Sequence, residues 1–229
     1  MTRHARAAKL LLLALAFAAN AQAQDFSLLG RQLRLPPPQG YCVADDSHVE
    51  RPVVARMRKL LEPQGPFLMM FVECAELQRI REAGREFTDG FTDFGTYSAF
   101  ALHGELKAVD QSRQAFLGAI ASVDDEAAAR EGIDRGLKRL RAIGRTITST
   151  VNLGILGVDS NAIYMGVATA GPGQDAERAQ GSLNVGAMTL VKGMRLSISR
   201  VRVYRKPEDL PTLLADQKRA MSELVAANE

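Results

Sequence analysis

Two alternating apolar runs meet at Lys192-Gly193 near the end of the chain, and they constrain the fold more than any other feature. Residues 183–191 read LNVGAMTLV and residues 194–204 read MRLSISRVRVY. Alternation with a period of two sorts side chains onto the two faces of a strand. An X-Gly link between two such runs is the mark of a tight antiparallel hairpin. In the second run Leu196 and Ile198 keep one phase, and Val201 and Val203 take the other. One extra residue near Ser199–Arg200 would reconcile them, so a β-bulge is expected there. Pro207 then opens a helix to about Ala227. Its inner side carries Leu210, Leu214, Met221 and Leu224 or Val225 at helical spacing.

The rest of the chain mixes both periods. Residues 26–40 begin irregularly and end in Pro36-Pro37-Pro38-Gln39-Gly40, an extended segment that cannot donate to a central sheet. Tyr41-Cys42-Val43 reads as a short strand and Asp45-Asp46-Ser47 as a turn. A helix follows from Pro52, with Val53, Met57, Leu60 and Leu61 on its inner face, and Pro63 and Gly65 stop it. Phe67 to Val72 is a continuous apolar run, as in a buried strand. Residues 75–83 read as a helix with Leu77, Ile80 and Ala83 inward, and residues 110–121 and 124–143 as two more. Residues 146–153 and 162–169 read as strands, with Gly154, Gly157 and Asp159-Ser160-Asn161 bending the chain between them. Residues 171–181 are a polar connection. Mixed strands and helices, then hairpins, then a helix give an α+β class with a mainly antiparallel sheet packed with helices.

The first segment reads as an address. Arg3, Arg6 and Lys9 precede a ten-residue apolar run at 10–19, and Ala21-Gln22-Ala23 ends it. A charged start, a short apolar middle and a small-residue exit make a secretory signal peptide. Ten residues span only about 15 Å as a helix, half a bilayer core, so no permanent membrane anchor is expected. Cleavage after Ala23 leaves residues 24–229 as a single α+β domain in the periplasm. It also changes the charge. The chain of 229 residues has 29 Lys and Arg against 26 Asp and Glu, and the segment 1–23 holds three bases and no acid. The remainder is neutral, which removes the case for nucleic acid that a basic chain would make.

Export also gives the two cysteines, Cys42 and Cys74, a meaning. In an oxidising compartment they allow one pairing, a disulfide. The alternative is two free buried thiols. Neither a metal nor a cofactor is expected, because no zinc spacing, P-loop, G-x-S-x-G elbow or H-E-x-x-H occurs. Gly171-Pro172-Gly173 imitates a dinucleotide loop, but no apolar helical face follows it. Asp89 and Asp93 lack the alternate acids of a calcium loop. The Arg-rich stretch from Lys138 to Arg145 reads as a solvated helix end. Residues outside the leader include two histidines, His48 and His103, each with turn or strand-end neighbours and neither with a local catalytic partner. Phe87, Phe91, Phe94, Tyr97 and Phe100 crowd one stretch. They either fill the core or form a contact surface.

The run Pro38-Gln39-Gly40-Tyr41-Cys42, with Cys74 inside Phe71-Val72-Glu73-Cys74-Ala75-Glu76-Leu77, resembles a group of exported proteobacterial proteins that brings no known activity. The terminal hairpin and helix resemble the PsbP-like α/β sandwich, which implies an accessory or binding protein. The helical stretch at 110–143 and the cysteines depart from that pattern. The expectation is an exported protein that binds an envelope partner without catalysis. Two alternatives stand beside it: a periplasmic hydrolase using His48 or His103, and a carrier of a small apolar ligand.

Overall fold

A computed structural model describes residues 23–46, 49–63, 65–83, 91–101, 105–121, 134, 136–138, 150–169 and 181–229. Nine strands and four helices have both ends within these segments, and residues 134 and 136–138 are helical as well. Strands β1 (Gln24–Leu28) and β2 (Arg31–Leu35) are followed by β3 (Tyr41–Ala44), helix α1 (Arg51–Leu61), β4 (Phe67–Glu73) and α2 (Cys74–Ala83). Then come β5 (Asp93–Ala99), α3 (Arg113–Ala121), β6 (Val151–Val158), β7 (Ile163–Thr169), β8 (Ser182–Val191), β9 (Met194–Val203) and α4 (Asp209–Ala226). The last seven strands, β3 to β9, form one antiparallel sheet in the order β3-β4-β5-β9-β8-β7-β6. The α+β class with a mainly antiparallel sheet is therefore the observed one.

Period-two alternation divides this sheet into two faces. One face carries Tyr41, Phe71, Tyr97, Leu183, Val185, Leu196 and Ile198, all buried with the inner side of α4. Leu210, Leu213, Leu214, Met221 and Leu224 supply that helical side. The other face carries Cys42, Met70 and Val72 under α1 and α2 at one end, and Ile163 and Leu190 under α3 at the other.

The hairpin of β1 and β2 corrects the expectation of an irregular start. Leu29 and Gly30 turn it at φ values of 49° and 75°. Lys192 and Gly193 turn the β8–β9 hairpin at 47° and 75°, so both use the same two-residue geometry. Leu33 and Leu35 are buried in the main core. Asn228 clamps the hairpin to the end of α4. Its Nδ2 donates to the Arg34 carbonyl at 2.7 Å, and its Oδ1 accepts the Arg34 N–H at 2.9 Å. The Tyr97 hydroxyl donates to the Pro36 carbonyl at 2.8 Å, pinning the proline segment to the core.

Cys42 and Cys74 form a disulfide, with their Cα atoms 4.9 Å apart. The bond joins β3 to the first residue of α2. Other expectations need local correction. Leu60 points outward at 63% exposure instead of into the core, and Ala83 is also exposed. Gly154 and Gly157 lie within β6, where two register shifts against β7 absorb them, and the chain turns at residues 159–161. The helix expected at 124–143 falls mostly outside the described residues; residues 134 and 136–138 are helical. Residues 1–22, which hold nearly all of the expected leader, also lie outside them, as do residues 146–149 and nearly all of the 171–181 connection.

Candidate functional site

The break of phase in β9 is chemical and not geometric. β8 and β9 pair without interruption from Val191↔Met194 to Ser182↔Val203, so no bulge occurs at Ser199–Arg200. The core-facing row simply changes character, running Leu196, Ile198, Arg200, Arg202. Arg200 is 2% exposed. A buried guanidinium needs partners, because an unpaired buried charge costs several kcal/mol.

Its neighbours come from three other elements. Arg200 lies over the Tyr41 ring of β3, with its guanidinium carbon 4.4 Å from the centroid, and its Nη2 donates to the Tyr41 hydroxyl. That hydroxyl donates onward to Asp93 Oδ1 at 2.6 Å, at the start of β5. Asp93 Oδ2 accepts from Arg202 Nε at 2.7 Å. From α4, Asp216 approaches Arg202 at 3.5 Å and Arg219 at 3.8 Å. Glu76 of α2 fixes the start of β5 by accepting from Thr92 Oγ1 at 3.0 Å and from the backbone N–H groups of Thr92 and Asp93. The result is a polar cleft of about 230 Å³ lined also by Glu73, Glu223 and the Pro38–Gly40 turn.

Burial and the hydrogen bond to Asp93 push the Tyr41 phenol up to about 12. Burial also raises Tyr97, Tyr164 and Tyr204, helped by the charges of Glu223, Asp159 and Asp209 respectively. These are all four tyrosines of the chain. A phenol whose folded pKa lies above its unfolded value of about 10 contributes stability that is complete below pH 10 and is lost as pH rises toward 12. Absorbance at 295 nm should therefore show Tyr41, Tyr97 and Tyr164 silent in the native protein near pH 10, and all four tyrosines should titrate there in guanidinium. A native step of two or more phenols near pH 10 would contradict their burial.

The opposite sheet face holds a wider recess, a groove of about 520 Å³ across four strands. Thr96 and Ser98 of β5, Ser197 and Ser199 of β9, and Asn184 of β8 make a polar centre to its floor. Ser199 Oγ donates to Asn184 Oδ1 at 2.7 Å across the hairpin. Met57, Leu60 and Leu61 of α1 form one apolar wall, and Met165 and Val167 of β7 lie at the other side. Phe94 and Val201 complete the apolar part.

Of the residues singled out in the sequence, Cys42 and Cys74 are joined. The five aromatics do not act as one patch. Tyr97 is fully buried under α4, Phe91 packs on the α1–α2 side, and Phe100 packs against Phe116 of α3. Phe94 lines the groove, while Phe87 lies outside the described residues, as do His48 and His103. Sequence reasoning missed Arg200 and Arg202. The signal was present: two arginines two residues apart, in phase with Leu196 and Ile198.

No protein-family profile matches the chain, and no curated protein matches it. Among solved structures, the Ran-binding protein Mog1p of Saccharomyces cerevisiae is similar at 15% identity, over 91% of this chain and 93% of its own. The TM-score is 0.31, a superposition that carries no functional argument.

Proposed function

We propose that this chain is an exported periplasmic binding protein, without catalysis, that holds an extended apolar segment of an envelope protein in the groove on the sheet face opposite α4. The carrying observation is the groove itself. Apolar walls suit the side chains of such a segment, and the hydroxyl and amide floor suits its backbone amides. Leu60 supports this reading, being one of two large hydrophobics exposed among the described residues and standing on the groove wall.

Export is supported by the charged and apolar leader, the Cys42–Cys74 bond and the position of β1, which begins at Gln24, just after the expected cut. No helix of the described residues is long and apolar enough to cross a membrane. The mass of natively exported protein should correspond to a chain starting at Gln24.

The partner reading is tested with Leu60→Asp. Because Leu60 is exposed, the variant should keep its melting temperature. Crosslinked partner recovered from envelope fractions should fall about tenfold, the effect of losing one well-buried apolar contact. Equal recovery of the same partner by both proteins would overturn the groove as the binding surface.

The groove volume also falls within the range of small-molecule sites, which favours a second reading as an apolar-ligand carrier. Native mass spectrometry of the exported protein separates the two: a bound small molecule favours the carrier. The hydrolase alternative rests on His48 and His103. It would require turnover of a hydrolase substrate by the purified protein, lost in His48→Ala or His103→Ala.

A further inference from the structure

The polar cleft beside α4 is separate from the groove, on the opposite face of the sheet, and its bonding is incomplete. Arg200 is almost wholly buried, held flat by the Tyr41 ring, and its Nε has no hydrogen-bond partner. Asp93, at 3.9 Å, compensates its charge but commits its own short bonds to Tyr41 and Arg202. A stacked guanidinium with an unused Nε donor is suited to a carboxylate, which pairs with its planar fork.

The remaining lining selects against a plain anion. Three arginines, Arg200, Arg202 and Arg219, face four carboxylates, Glu73, Asp93, Asp216 and Glu223. Glu73 and Glu223 make no ion pair within 4 Å among the described residues. No three acids or imidazoles among the described residues converge as metal ligands. Both signs of charge are therefore on offer in a space of about 230 Å³, below the usual range for drug-sized ligands. A molecule that satisfies both is small and carries a carboxylate and an ammonium together. We propose that this cleft binds a free α-amino acid, its carboxylate on Arg200 and its ammonium toward Glu223 and Glu73.

The test is a thermal-shift screen of the full exported protein against the twenty amino acids at millimolar concentration. Acetate and inorganic phosphate serve as anion-only probes, and calorimetry follows on any hit. At least one amino acid should raise the melting temperature by about 5 °C at large excess, with acetate and phosphate giving far less. Arg200→Lys should abolish the shift. Glu223→Gln lies on the half-buried side of α4 and leaves the Arg200–Tyr41–Asp93 network intact, so it decides the matter even if Arg200→Lys fails to fold. It should weaken the hit about tenfold while leaving the ligand-free melting temperature within about 1 °C. The proposal is overturned if no amino acid shifts the wild type, if acetate or phosphate shifts it equally, or if Glu223→Gln binds the hit as tightly as wild type does.

Discussion

Reduction of the Cys42–Cys74 disulfide is expected to lower stability by about 3–4 kcal/mol. The two residues are separated by 32 positions. Closing a loop of that length removes about this much chain entropy from the unfolded state. For a domain of this size the melting temperature should drop by roughly 10 °C in dithiothreitol, and the Cys42→Ala, Cys74→Ala double variant should match it. The damage should be local at first. β3 has four residues and, among the described residues, pairs within the sheet with β4 alone. Helix α1 has no side-chain cap and buries only Val53 and Val54. The bond closes this unit, so hydrogen exchange in β3 and α1 should quicken before the rest of the sheet loosens. A melting temperature indifferent to reductant, or thiol labelling of both cysteines in the unreduced native protein, would contradict this account.

Gly95→Ala should cost about 3 kcal/mol, the upper part of the usual range for overpacking. Gly95 lies in β5 opposite Phe71 of β4 and Arg200 of β9. A Cβ there would overlap the Phe71 ring and stand 2.5 Å from the Ser199 carbonyl oxygen. The carbonyl belongs to a central strand and cannot retreat. Phe71 is fully buried, with Tyr41 and Tyr97 each 5.6 Å away between ring centroids, so it cannot swing without moving both. Gly118→Ala is the control. That glycine is in α3, and a methyl group added to it would meet nothing within 4 Å, so alanine there should stabilise by up to about 1 kcal/mol. Equal denaturation midpoints for Gly95→Ala and wild type would show that the sheet yields at this position.

What the sequence disclosed followed the strength of the local signal. The β8–β9 hairpin, β4 and α4 have long or clean apolar patterns, and each appears where the pattern puts it. The β1–β2 hairpin has the same X-Gly turn at Leu29-Gly30, but its strands are five residues each and half polar. Phe26, Leu28, Leu33 and Leu35 do alternate, yet over so short a span that the prolines after them dominate the local pattern. The polar cleft was legible only in part. Arg200 and Arg202 break an apolar row, and in sequence a buried arginine and a bulged backbone leave the same mark. Their compensation comes from Tyr41, Asp93 and Asp216, which are remote in sequence, and no local pattern links them. The aromatics at 91–100 take the core-filling alternative but divide among separate clusters, because neighbours along a strand point to opposite faces.

The two register shifts in β6 have a consequence for association between copies. β6 is one border of the seven-stranded sheet, with β7 as its sheet neighbour. The shifts, between Asn152 and Gly154 and between Ile155 and Gly157, interrupt its ladder twice in eight residues. A strand kinked in this way offers no straight row of amide and carbonyl groups for a foreign strand to zip onto. Chains of this protein brought together at high concentration should therefore resist fibril growth from that border.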